Sequence, residues 1–138
     1  MASTTVHGAA TARTAAFNGT SVNTLLGATA SLRIYSGSVP ADADASLGAA
    51  VLLATLPLAA TPVSGVASGV ATLGTITSAA AAAAGTASFW RILDSSAVSQ
   101  YQGEATATGG GGSLLLATVS IVAAATISCS AGSITLPA

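Results

Sequence analysis

Short stretches in which apolar residues recur at every second position dominate this chain, the period expected of half-buried β-strands. Leu32-Arg33-Ile34-Tyr35 is the first clear case: Leu32 and Ile34 share one face, Arg33 and Tyr35 the other. Val51-Leu52-Leu53-Ala54-Thr55-Leu56 is a compact apolar run that suits a core strand, and Pro57 places its end at a sheet edge or a bulge. Val70 to Thr77 reads as a strand interrupted by Gly74. Thr86 to Leu93 carries Phe89, Trp90, Arg91 and Ile92. Alternation sets Phe89, Arg91 and Leu93 on one face and Ser88, Trp90 and Ile92 on the other, and the arginine implies that Trp90 and Ile92 point inward. Asp94-Ser95-Ser96 is a turn into a polar partner strand, Val98 to Ala107, so the two segments form a hairpin. Leu114 to Ser120, Thr126 to Ser130 and Ser133 to Leu136 alternate again, with a turn at Ala123-Ala124-Ala125.

No long amphipathic helix interrupts this series. Ala79 to Ala84 lies between Ser78 and Gly85, but six residues are too few for a free-standing helix, so a connecting loop with at most one helical turn is expected. Gly109 to Gly112 lacks the Lys-Ser/Thr of a phosphate loop and reads as a flexible connection. The fold class is therefore all-β: an antiparallel β-sandwich, Ig-like or jelly-roll-like, of seven or eight short strands. Hydrophobic residues are sparse before residue 31. Residues 1–30 are thus expected to form an extended N-terminal arm and residues 31–138 the sandwich domain, with Phe17, Leu25 and Leu26 pinning the arm to a neighbour.

Composition narrows the function more than the fold. Of 138 residues, 34 are Ala, 36 are Ser or Thr and 15 are Gly, while the charged set is only Arg13, Arg33, Arg91, Asp42, Asp44, Asp94 and Glu104. Three cations cannot track a phosphate backbone, which argues against nucleic acid as a partner. One His and one Cys cannot build a zinc site. The most apolar window, Leu114 to Ala125, is shorter than the roughly 20 residues of a membrane span and has no flanking Lys or Arg. Residues 1–30 contain neither a basic n-region nor an unbroken apolar h-region, so Asn18-Gly19-Thr20 reads as a turn and not as a glycosylation site. A net charge of −1 leaves a surface that costs little to desolvate, as suits a subunit buried in an assembly; an Ala- and Gly-rich coding bias would give a similar composition.

Candidate chemistry is thin. Cys129 lies in a predicted strand and is expected to be a small buried residue; a catalytic role would require His7, the single imidazole, beside it. Asp94 and Glu104 are the one carboxylate pair on adjacent predicted strands, the minimum for glycoside hydrolysis, although Asp94 also fits a turn cap. Tyr35, Trp90 and Tyr101 could make a sugar-stacking patch of a carbohydrate- or surface-binding module, provided that Trp90 is not buried in the core. No catalytic, cofactor or metal residues are assigned, no small-molecule substrate is expected, and the chain is not expected to be an enzyme.

The order Leu32-Arg33-Ile34-Tyr35-Ser36-Gly37, Pro40 with an Ala/Asp-rich loop, Val51 to Leu56, Gly69-Val70-Ala71-Thr72, Ile76-Thr77-Ser78, Gly85 to Ile92 and Ser120-Ile121-Val122-Ala123 resembles a family of small β-rich structural proteins encoded by tailed bacteriophages and prophages. The resemblance covers roughly residues 31–137; the alanine run and the first 30 residues depart from it. It implies a virion structural protein assembled in the host cytoplasm: a capsid decoration or cement subunit on the head lattice, or a tail, collar or fibre component. The implied partners are the major capsid protein or other virion subunits, and copies of the chain itself in a homo-oligomer, with trimers favoured. Phe17, Leu25, Leu26, Arg33 and Arg91 are the candidate interface residues, the two arginines supplying rare ionic contacts.

Overall fold

Among the described residues the backbone is extended through most of the alternating stretches, and β-branched and aliphatic residues supply much of the strands. The computed structural model describes residues 7–10, 21–67, 70–107, 110, 112, 114–116 and 118–135. Within them the chain forms β1 (His7–Gly8), a short helix α1 (Val22–Leu26), β2 (Ser31–Ser36), β3 (Val51–Pro57), β4 (Val63–Ala67), β5 (Val70–Leu73), β6 (Ala79–Ala80), β7 (Gly85–Thr86), β8 (Phe89–Leu93), β9 (Ser99–Ala107), β10 (Leu114–Leu116), β11 (Ser120–Ile121), β12 (Thr126–Ile127) and β13 (Cys129–Thr135). Five of these thirteen strands have only two residues, which leaves eight longer ones. The fold is all-β and consistent with a sandwich, as the alternation predicts.

The hydrogen-bonded path runs β3-β2-β8-β9-β10-β13-β5-β4, with β1 also paired to β9. Every pair along it is antiparallel except β9 with β10, where Leu114 to Leu116 run parallel to Ala105 to Ala107. Both halves of the path feed one core. Leu32, Ile34, Leu56, Trp90, Ile92 and Tyr101 come from the first half, and Ala71, Leu73, Leu114 and Leu116 from the second. Trp90 and Ile92 are fully buried, so the expected inward face of β8 is observed. A bulge where Ile34 pairs Ala54 and Tyr35 pairs Leu52 leaves Leu53 unpaired, and the consecutive residues Leu53 and Ala54 are both buried in the core.

The parallel β9–β10 step is connected through residues 108–113, of which Gly110 and Gly112 are described. A Cβ on Gly112 would lie 2.9 Å from the Glu104 carbonyl oxygen, and one on Gly110 would lie 2.7 Å from the Thr106 Cβ. Gly110 and Gly112 thus lie against β9, closer than a side chain permits. The alanine run is not helical, in keeping with the expected connecting loop, but its first two residues form the short strand β6. Ala79–Ala80 pair with Thr126–Ile127, the Ala81 N–H donates to the Ala125 carbonyl, and the Ala124 N–H donates to the Ala81 carbonyl. The two alanine-rich segments are partners, and their methyl side chains let the backbones meet.

Residues 21–30 belong to the folded body, so a boundary at residue 30 does not separate an arm from the sandwich. Ser21 caps α1 through the Thr24 N–H, and Gly27 ends it at φ 79°, the left-handed region that favours glycine. Leu26 is fully buried in the core. The Asn23 side chain pairs with Val63 like a neighbouring strand residue, its Oδ1 accepting from the Val63 N–H at 2.7 Å and its Nδ2 donating to the Val63 carbonyl at 3.2 Å. The Ser95 N–H and hydroxyl both donate to the Leu26 carbonyl. This short helix therefore joins the β8–β9 turn to β4.

Two truncations test this core. In urea denaturation Trp90→Ala is expected to cost about 3–5 kcal/mol and Leu26→Ala about 2–5 kcal/mol. A Leu26→Ala protein as stable as the parent would instead make residues 21–30 a dispensable appendage.

Candidate functional site

Register aligns one row of residues on the outer face of the first half-sheet: Thr55, Arg33, Arg91, Gln102 and the position of His7, on β3, β2, β8, β9 and β1 in turn. Side chains at aligned positions share a face. The face is not open. Phe89, Arg91 and Leu93 are buried, so β8 is covered on both sides. Over Arg91 the cover is the 37–50 loop, whereas Phe89 stacks on Tyr35.

Polar side chains of the sheet hold that loop by its carbonyl oxygens. Arg91 Nε donates to Gln102 Oε1 at 2.9 Å, and its Nη2 donates to the carbonyls of Asp42 at 3.1 Å and Ala45 at 2.6 Å. Gln102 Nε2 donates to the Pro40 carbonyl at 2.6 Å, and the Ser88 hydroxyl to the Gly37 carbonyl at 2.7 Å. Tyr35 and Phe89 stack beside the arginine with centroids 5.1 Å apart. The loop supplies the counter-charge. Asp42 Oδ1 accepts from the N–H groups of Asp44 and Ala45, and Asp44 Oδ2 accepts from the Ala10 N–H. Burial pulls the Arg91 pKa below the ordinary arginine value, opposed by Tyr35, Asp42 and Asp44.

The candidate interface residues therefore divide. Arg91 is 6% exposed, and its donors bond loop carbonyls and Gln102 within the chain instead of making an outward ionic contact. Leu26 lies in the core, and Leu25 is half-buried against it. Arg33 is half-buried on the sheet face, and Phe17 lies outside the described residues. The sugar-stacking patch is absent: Trp90 is 0% exposed, Tyr35 and Tyr101 are also buried, and Tyr35 faces away from the other two. The carboxylate pair separates as well. Glu104 pairs with Phe89, and Asp94 follows five residues further along, about 17 Å taking 3.4 Å per residue. Glycosidase carboxylates stand about 5–9.5 Å apart. Asp94 caps its turn, Oδ1 accepting from the N–H groups of Ser96 and Val98. The backbone of His7 pairs with Gln102, whereas Cys129 pairs with Leu116, itself beside Ala107, five residues further along β9.

Gln102, Asp42 and Asn23 are the structural polar residues that the sequence reading passed over. Gln100, Gln102 and Glu104 alternate along β9, and that stripe was the available signal for a second, polar face. Among the described residues no group of three His, Cys, Asp or Glu side chains is placed to hold a metal ion.

Removing the guanidinium leaves two part-buried carbonyls and a buried amide oxygen without their donor. Arg91→Gln is expected to destabilise by about 3 kcal/mol, and the cycle with Gln102→Ala to be non-additive by more than about 0.5 kcal/mol. Additive losses in the denaturation series would dissolve the clamp into independent contacts. Burial pushes the Cys129 thiol from 9.0 up to about 11. The neutral thiol is favoured in the folded state, so its contribution is full below pH 9 and is lost as pH rises through 11. Alkylation by iodoacetamide is expected to be slow at pH 8 and to accelerate towards pH 11. Rapid labelling of the folded protein at pH 8 would contradict this.

Comparison with protein-family models, with curated proteins and with solved structures finds no match for the chain.

Proposed function

We propose that this chain is a virion structural subunit of a tailed bacteriophage, most economically a decoration or cement protein that stabilises the head lattice by adhesion. The supporting observation is how the few charges are used. Four of the seven charged side chains do structural work inside the chain: Arg91 clamps the loop, Asp42 and Asp44 accept main-chain N–H groups, and Asp94 caps a turn. What faces outward is mostly Ala, Ser, Thr and Val, a surface that sheds water cheaply when it is covered.

The sheet edges fit the same reading. On β3, the Leu53 and Pro57 carbonyls accept from the N–H groups of Ala82 and Thr77, so that edge is partly covered. On β4, Asn23 occupies Val63, and beyond it no described residue pairs the outer edge, where Val66 is 71% exposed. Main-chain pairing and apolar contact at such an edge would bind a neighbour without ion pairs. A symmetric homo-oligomer, with trimers at three-fold lattice positions, is the arrangement this adhesion favours.

Copy number tests the assignment. Quantitative mass spectrometry of particles produced from the genome encoding the chain is expected to find it at a level close to that of the major coat protein. A level far below that would assign it to the tail, collar or fibres. Its absence from particles would overturn the virion reading.

A further inference from the structure

The two ends of the sheet path are treated differently. The β3 edge is met by main-chain donors, the Ala82 N–H on the Leu53 carbonyl and the Thr77 N–H on the Pro57 carbonyl. The β4 edge is met by a side chain. Asn23 Oδ1 accepts from the Val63 N–H at 2.7 Å, and Nδ2 donates to the Val63 carbonyl at 3.2 Å. A carboxamide carries the same donor and acceptor as a peptide group, so Asn23 fills the place of one residue of an added strand. Asparagine is a poor helix former, yet it stands inside the five-residue α1, whose Leu26 is fixed in the core. The contact with Val63 is what that position supplies.

An open edge invites pairing, and edges are commonly protected by charge. Here that protection is missing: from Ala45 to Trp90 the chain has no charged residue. A second copy of β4 would meet no like charge. We infer that Asn23 is an edge guard, whose carboxamide keeps β4 from pairing with the β4 of a second copy of this chain. The geometry makes the guard selective against self-pairing. Two copies of β4 (Val63–Ala67) overlapping fully about a two-fold axis would centre on Gly65, with Val63 of each opposite Ala67 of the other. Occupying Val63 therefore removes the outer pair at both ends and leaves only residues 64–66 in register. An unlike neighbour that approaches only the free end of β4 loses nothing to Asn23, so the guard is compatible with adhesion at this edge.

The experiment is the mass of the full-length folded protein by light scattering over a concentration series, well below its melting midpoint. Wild type is expected to hold one mass. Asn23→Ala is expected to move towards twice that mass at concentrations about tenfold or more below any at which wild type does so. Asn23→Ser, too short to reach both groups of Val63, should behave alike. Val66, 71% exposed on the same strand, supplies the control. Val66→Lys added to Asn23→Ala should restore the wild-type mass, because it brings like charges together at the axis, and should leave the melting midpoint of Asn23→Ala unchanged. A wild-type mass for both Asn23 variants throughout the series would overturn the inference. Association that persists after Val66→Lys would also overturn it, by tracing the contact to loosened packing and not to the edge. Neither result bears on the virion assignment, which copy number tests.

Discussion

A β-strand buried on both faces needs two covers, and β8 has only one sheet facing it. Its Trp90 and Ile92 pack into the shared core. Phe89 and Arg91 point the other way, where the cover over Arg91 is an irregular loop with main-chain polar groups to satisfy. Arg91 resolves that conflict. A guanidinium carries several donors in a rigid fork and no acceptor, so it can bond loop carbonyls and a glutamine at once. Arg91, with Gln102 and Ser88, thereby holds the 37–50 loop against the sheet.

The same logic explains how so light a chain holds together. With few large side chains to fill gaps, backbones must approach closely. Gly110 and Gly112 lie against β9 where no Cβ fits, and the Ala79–Ala84 run pairs with the Ala123–Ala125 turn. Short polar side chains then do work that strands do elsewhere. Asn23 pairs with Val63 as a strand would, and Ser95 ties α1 to the β8–β9 turn. Small residues thus serve both ends of the problem: they permit close internal contact, and they leave an outer surface with little bound water to displace.

Local pattern made the strands legible. The alternation at Leu32 to Tyr35 and at Phe89 to Leu93, the edge-breaking Pro57 and the Asp94 turn each follow from residues within a few positions of one another. The helix over Val22 to Leu26 was less legible, because its five residues are stabilised by partners 40 and 69 positions away. The alanine run reads correctly as a connection, but its pairing was not legible, because a methyl side chain gives no signal of which distant segment it will meet. Of the candidate interface residues, Leu26 and Arg91 are drawn into the protein's own interior, and sequence cannot distinguish an apolar or cationic side chain meant for a partner from one meant for the core.

The sequence by itself determined an all-β chain, its main strand positions, the inward face of Trp90, and a surface with almost no charge. These depend on side-chain period, turn chemistry and composition, which are local or additive properties. Only the tertiary structure decided that β9 and β10 run parallel, that residues 21–30 join the body, that the two alanine-rich segments pair, and that Arg91 is spent within the protein. Each of these depends on contacts between residues far apart in the chain. Such contacts are fixed by which groups must be covered and which donors find acceptors once the sheet has curled.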